Sequence, residues 1–182
     1  MKMSVVIPVY NVREYLCDCI ESLCASIEYA GCEHEVEIVL VDDGSTDGSA
    51  ALLESLAHRH LWMRVYHRPN RGVAAARNFA LGEVRGEYLA WVDPDDMVER
   101  GFFQVLLRAF ANSPDAVVFD YTGIPGGVRY YRGASGTLPA EAFWRDLVRD
   151  ERMKSFLWTK AIRREHHHNF FYSRWLTASE LD

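Results

Sequence analysis

The sequence predicts an α/β fold in which a central, mostly parallel β-sheet is flanked by helices. Three observations lead there. Apolar runs recur along the first two thirds of the chain, and each is followed by a segment with helical spacing of its apolar residues. The runs are near-continuous rather than alternating, the pattern of strands buried on both faces. Each run also ends in a cluster of polar residues, as expected where the carboxyl ends of parallel strands open into a binding crevice.

Taken in order, Met3 to Val9 reads as a strand and Val12 to Tyr29 as a helix, with Tyr15, Leu16, Ile20, Leu23 and Ile27 on one stripe. Val36 to Val41 is the second strand. After Asp42-Asp43-Gly44-Ser45-Thr46-Asp47, the segment Ala50 to His60 reads as the second helix, for which Ser45, Thr46 or Asp47 can act as a cap. Trp62 to His67 and Gly72 to Val84 form a third pair, and Glu87 to Val92 and Arg100 to Ala111 a fourth. Ala116 to Tyr121 is expected to add a fifth strand. The pattern then weakens: Gly123 to Gly136 suggests a hairpin or mobile loop, Ala140 to Val148 looks helical, and from Ser155 onward little is assignable. Residues 1–121 are therefore taken as the α/β core, and 122–182 as a further segment of the same domain.

Bulk properties narrow the function. At 182 residues, 49% hydrophobic and 25% charged, the chain suits one domain with its own core. Lys plus Arg number 20 against 26 Asp plus Glu, so the net charge of −6 leaves no overall footprint for nucleic acid. The basic excess is confined to Arg145 to Arg174, where a solvated face is the ordinary reading and peripheral contact with anionic lipid the alternative. Cys17, Cys19, Cys24 and Cys32 lack paired CxxC spacing, which favours reduced thiols and a cytoplasmic location over a zinc site or disulfides. The apolar run before Pro8 is too short for a signal sequence or a membrane span.

The familiar nucleotide motifs GxxxxGK[ST] and GxGxxG are absent. What stands out instead is acids at two strand ends, Asp42-Asp43 and Asp93-Asp95-Asp96, with Asn70-Arg71-Gly72 and Arg77-Asn78 between them in sequence. A carboxylate such as Asp43 can accept hydrogen bonds from a nucleobase N–H or from ribose hydroxyls. Asp95 and Asp96 suit a hard divalent cation, because Mg²⁺ is typically held by one or two carboxylates together with phosphate oxygens and water. Arg77, early in its helix, is placed either to touch the same phosphates or to hold an acid. Each motif alone has an ordinary explanation as a loop, a cap or a chance DxD. Their combination at matching strand ends is what argues for a site.

The stretches SVVIPVYN, EIVLVDDGSTDGS, NRGVAAARN and GEYLAWVDPDD resemble the successive motifs of the family-2 glycosyltransferases over Met3 to Ala111. The resemblance implies the GT-A fold, a Rossmann-like central sheet, and metal-dependent transfer of a sugar from a nucleoside diphosphate donor, mostly with inversion. It implies Mn²⁺ or Mg²⁺ as cofactor, a UDP-sugar as the favoured donor, and a glycan or lipid-linked acceptor in surface polysaccharide synthesis, in the cytoplasm, with peripheral association at the inner face of the membrane as an open alternative. Pro8 and Tyr10 would lie beside the base and Asp43 on it, with Arg77 near the diphosphate. Asn11, Asp42 and Asp93 complete the nucleotide-binding set, and Asp95 is the first choice as metal ligand with Asp96 the alternative. A general base is expected late in the chain, at Glu180 or Asp182 in LTASELD, where the family's usual adjacent pair is interrupted by Leu181.

That interruption, close to the end of the sequence, suggests a domain that stops short at its C-terminus. A nucleotide-sugar-binding module without turnover is then one alternative. A sugar nucleotidyltransferase is another, although its Gly-rich phosphate loop after the first strand is missing. His166-His167-His168 reads as an exposed polar run rather than a metal site. Trp158 and Lys160 resemble a segment near the acceptor side, with core packing of Trp158 equally open.

Overall fold

The computed structural model describes residues 1–123, 128–129, 137–139, 141–142, 145 and 157–169. β1 (Met3–Val9) and β2 (Val36–Asp42) are buried at every position. Side chains alternate across a strand, so this burial requires cover on both faces of the sheet. On one face it comes from α1 (Arg13–Ala30), α2 (Ser49–Ala57) and α4 (Phe102–Ala109), whose Leu16, Ile20, Leu23, Leu53 and Phe103 pack with Val5, Ile7 and Val9. On the other, α3 (Val73–Glu83) sets Ala76 and Ala80 against Val6, Val39, Val41 and Trp91. Each fully buried Leu, Ile, Val or Phe contributes about 1.5–3 kcal/mol, so these two layers supply the main driving force for the fold.

β3 (Met63–His67), β4 (Tyr88–Trp91), β5 (Ala116–Val118) and β8 (Lys160–Arg163) complete a six-stranded sheet of order β3-β2-β1-β4-β8-β5. β1 pairs in parallel with β2 and β4, and β2 pairs in parallel with β3. β8 runs antiparallel to both of its neighbours. A separate pair, β6 (Thr122–Gly123) and β7 (Val128–Arg129), is antiparallel, which gives part of the expected hairpin.

The mostly parallel α/β architecture expected from the pattern is present, with one rearrangement. The fifth strand does not lie beside β4; β8 occupies that place and pushes β5 to the edge. No sequence pattern announced β8, because its four residues, Lys-Ala-Ile-Arg, are half charged. It is buried by its two neighbours instead: Ala161 is fully enclosed and even Lys160 is almost so. The fourth helix is shorter than expected and ends in a 3₁₀ turn, Phe110–Asn112. The helix expected over Ala140 to Val148 lies mainly outside the described residues. Among the described residues, no helix is long and apolar enough to cross a membrane.

Candidate functional site

The strand register brings the polar clusters to one edge of the sheet. Val9, Asp42 and His67 are level at the ends of β1, β2 and β3, while Trp91 of β4 lies opposite Val6, so Asp93 follows two residues further on. Pro8 is buried within β1, and Tyr10 is the first exposed side chain beyond that strand. Asn11 adopts a positive φ of 52° and binds across to the next loop. Its amide donates to Ser45 Oγ at 3.1 Å, and its Oδ1 accepts the Thr46 N–H at 2.7 Å. The loops after β1 and β2 therefore form one rim.

Asp42 and Asp43 are both buried, yet each carboxylate is satisfied. Asp42 accepts the Ser45 N–H at 3.0 Å on Oδ1 and faces His67 Nδ1 at 2.9 Å with Oδ2. Burial pushes the Asp42 carboxyl up, but the hydrogen bonds from Ser45 and His67 together hold it below its ordinary value. Asp43 turns the other way and accepts the Gly72 N–H at 2.7 Å and the Arg71 N–H at 3.1 Å, which fixes the loop that opens α3. Gly44 makes this crossing possible. Its φ is +79°, and a Cβ there would stand 2.8 Å from the Asn70 backbone nitrogen, closer than any side chain tolerates.

None of the three expected residues occupies the cap position of α2, although Asp47 reaches its first amide from one residue upstream. The residue preceding the helix is Gly48, which has no side chain to offer. Asp47 Oδ1 accepts the Ser49 N–H at 2.9 Å, and Oδ2 accepts the Arg13 N–H at 3.0 Å, so one carboxylate ties the starts of α2 and α1 together. Hydrogen bonds from Ser49 and Arg13 lower its pKa to about 2. Ser45 and Thr46 serve the rim instead. Beside this tie a cavity of about 530 Å³ opens between the two helices, lined by Asn11, Arg13, Glu14, Cys17, Asp47 and Leu52. It contains none of the acids at the end of β4.

At that end, Arg77 of α3 donates from Nη2 to Asp93 Oδ1 at 3.1 Å, and its guanidinium lies 5.7 Å from the centre of the Trp91 ring. Desolvation raises the Asp93 carboxyl; Arg77 pulls it down, and the neighbouring Asp95 pushes it up again, leaving it above its ordinary value. Asp95 and Asp96 both reach solvent. Asp96 is nevertheless raised to about 6, by partial desolvation first and then by repulsion from Asp95 and Asp93. Beneath them Cys19 of α1 places its Sγ 3.8 Å from the Asp93 carbonyl oxygen. Burial, reinforced by Asp96, Asp95 and Asp93, pushes that thiol up to about 12, so it is an inert packing group.

These features suit a divalent cation of the Mg²⁺ or Mn²⁺ kind. The donors are carboxylate oxygens, their mutual repulsion is only partly offset by Arg77, and two of them remain open to solvent. Among the described residues no group of three or more His, Cys, Asp or Glu side chains is arranged to hold a metal by itself. One or two carboxylates completed by phosphate oxygens and water is the ordinary arrangement for such ions.

Other sequence expectations divide. Glu180 and Asp182 lie outside the described residues. The histidine run is not uniformly exposed: His166 meets Asp115 at 3.0 Å, whereas His167 is buried with its ring 6.5 Å from that of Trp91. β8 pairs with β4, the strand of Trp91, and the 3₁₀ turn that bears His167 (Arg164–Asn169) follows β8 directly. Trp158 packs edge-on to Tyr121 at 4.7 Å, and Lys160 Nζ lies 3.0 Å from Thr159 Oγ1. His67 and its second partner Glu54, 2.8 Å from Nε2, were not singled out from sequence. His67 is the last residue of β3, so the carboxyl-end rule applied to that strand would have found it.

Comparison with known proteins supports the same assignment. The family model described as glycosyl transferase family 2 matches residues 4–177. The glycosyltransferase GlyG of Streptococcus pneumoniae is 33% identical over 134 residues, 71% of this chain and 43% of GlyG. The chain thus spans less than half the length of that relative. Among solved structures, S. aureus TarS 1–349 in complex with UDP-GlcNAc superposes with a TM-score of 0.75 at 22% identity, over 93% of this chain and 47% of that 1–349 chain. The mannosyltransferase PcManGT of Pyrobaculum calidifontis, in complex with GDP-Man and Mn²⁺, gives a TM-score of 0.59 at 24% identity, over 67% of this chain and 36% of its own. With the β-strand order, the paired acid clusters and this match across nearly its whole length, the chain has the GT-A fold and belongs to glycosyl transferase family 2.

Proposed function

We propose that this chain is the donor-binding part of a metal-dependent, inverting glycosyltransferase that moves a sugar from a nucleoside diphosphate, with a UDP-sugar as the favoured donor. The observation that carries the reading is that α3 is engaged by both acid clusters: Asp43, after β2, binds the amides that open it, and Asp93, after β4 and next to Asp95 and Asp96 in the chain, binds its Arg77. The donors named for two structural relatives, UDP-GlcNAc and GDP-Man, support the donor class, and the Mn²⁺ named with the second supports the metal.

In this reading Pro8, Tyr10 and Asn11 line the base, with Asp42 holding the turn from which Asp43 meets the base. Asp95, or Asp96 in its place, holds Mn²⁺ or Mg²⁺. When bound, the ion supplies positive charge opposite the diphosphate leaving group. Arg77 holds Asp93 in place and presents its remaining N–H groups to the same phosphates. Residues 1–121 form the nucleotide-sugar-binding core, and 122–182 belong to the acceptor side. Glu180, with Asp182 as the alternative, takes the proton of the attacking acceptor hydroxyl. The acceptor is a glycan or a lipid-linked glycan of surface polysaccharide synthesis, met in the cytoplasm at the inner face of the membrane.

Calorimetry of UDP binding with Mn²⁺ and with EDTA tests the reading. Tighter binding with Mn²⁺, and loss of the difference in Asp95→Ala, are expected. Equal affinity under both conditions removes the metal from the account.

A further inference from the structure

His67 stands outside the residues assigned above, yet it is joined to one of them. Its Nδ1 lies 2.9 Å from Asp42 Oδ2 and its Nε2 lies 2.8 Å from Glu54 Oε1. An ionised carboxylate only accepts hydrogen bonds. A neutral imidazole has one N–H and one bare lone pair, so it satisfies one of these contacts and opposes lone pair to lone pair at the other. The imidazolium donates to both. The geometry itself therefore selects the charged form, and the surroundings agree: the hydrogen bond to Asp42, followed by that to Glu54, raises the His67 pKa. Asp42 from β2 and Glu54 from α2 are the charged groups that face the ring. The adjacent Arg68 is engaged elsewhere, with Nη1 2.8 Å from the Ala75 carbonyl and its guanidinium over Phe79.

The consequence reaches the candidate donor pocket through one peptide unit. Asp42 is gripped on one oxygen by His67 and on the other by the Ser45 amide. The next residue, Asp43, takes the Arg71 and Gly72 amides. How Asp43 is presented thus depends on how the end of β2 is held, and His67 ties that end to α2. Resting on the donor-site reading given above, we propose that His67 is a positioning residue: as an imidazolium it clamps Asp42 to Glu54 and so sets the place of Asp43 in the nucleotide pocket.

The sign of the pH dependence follows. A histidine whose folded pKa is raised contributes in full below the ordinary histidine value, and the contribution is lost as pH rises through the folded one. The clamp therefore loosens as pH rises above the ordinary histidine value.

Two measurements on the full chain test this. In ¹⁵N-histidine NMR, both His67 ring nitrogens are expected to be protonated on the acid side of a midpoint that lies above the ordinary value of about 6.5, and Glu54→Gln should lower that midpoint. The Gly72 amide resonance should follow the same titration in the absence of ligand, and should cease to do so in His67→Gln. A His67 midpoint at or below the ordinary value, or a Gly72 amide indifferent to the titration, overturns the inference. In calorimetry, UDP with Mn²⁺ is compared at about pH 6 and about pH 8.5. Wild-type affinity should fall by roughly three- to tenfold more than that of His67→Gln, the range for one charge-assisted contact at a part-exposed site. Protonation of the nucleotide itself is common to both proteins and cancels. Identical pH profiles overturn the positioning role. A wild-type chain that binds neither UDP nor GDP at either pH fails the donor reading instead, and the NMR titration tells the two failures apart.

Discussion

Arg77 and Asp93 meet at 3.1 Å across the gap between α3 and the end of β4, with their side chains 20% and 30% exposed. The pair is sheltered enough to matter and open enough to be reached by a ligand. It places a fixed cation beside three carboxylates that otherwise repel one another. The guanidinium is held on its other side by the face of Trp91, which is itself buried between β4 and α3.

Removing this cation should weaken nucleotide binding. Arg77→Ala leaves Asp93 without its partner and takes away the N–H groups proposed to meet the diphosphate. A loss of about tenfold in UDP affinity with Mn²⁺ is expected, near 1.4 kcal/mol. Arg77→Lys should recover only part of it, because an ammonium cannot contact a carboxylate and a phosphate through one planar fork. Isothermal calorimetry on the three proteins checks this, and unchanged affinity in Arg77→Ala would separate the ion pair from the binding site.

Asp47 gives a pH dependence of stability whose sign is determined. Its folded pKa is lowered from 3.8 to about 2 by the Ser49 and Arg13 contacts. A carboxylate of this kind contributes stability that is present above the unfolded value and is lost as pH falls through the folded one. Asp47→Ala should therefore melt below wild type at neutral pH, and the gap should close between about pH 4 and pH 2. Thermal melts across that interval decide it. A gap that persists at the acid end would mean that Asp47 acts through packing rather than charge.

At the opposite end of the sheet, Glu37 is 3% exposed and fully partnered. It accepts from Ser4 Oγ at 2.6 Å, from Arg64 Nη2 at 2.8 Å and from the Arg85 amide. Glu37→Ala removes the carboxylate shared by the Arg64 guanidinium, the Ser4 hydroxyl and the Arg85 amide, leaving the guanidinium only the Tyr66 hydroxyl and the Glu83 carbonyl. Loss of one partner of a buried ion pair costs about 3–5 kcal/mol, which should appear as a large fall in the urea midpoint. Glu37→Gln keeps the shape and part of the hydrogen bonding, so its cost should be smaller. Both variants, if folded, should bind nucleotide as wild type does, since the network lies at the amino ends of the strands. A small cost for Glu37→Ala would show that water reaches the vacated site.

The sheet and its crevice were largely legible because they are written in local pattern. Met3 to Val9 and Val36 to Val41 are too apolar to lie anywhere but between two layers, and the helical spacing after each supplies those layers. The acids at the ends of β2 and β4 follow their strands directly in the chain, so finding the strand locates the acid. The cap of α2 was less legible: the cap position falls to Gly48, one residue beyond the three expected, and Asp47 only reaches the Ser49 amide from upstream.

Other features depend on residues that meet only after folding. The half-charged run Lys160 to Arg163 becomes a central strand because β4 and β5 offer it two rows of hydrogen-bonding groups, a relation across dozens of residues that carries no periodic signal. His67 meets two carboxylates, one from β2 and one from α2, that lie far from it in the chain. Arg77, open in the sequence between holding an acid and touching phosphates, is shown holding Asp93. Periodicity reports which face of an element is apolar, and that is enough to assemble layers. The partner of a polar side chain depends on strand order and register, which arise from packing of the whole chain.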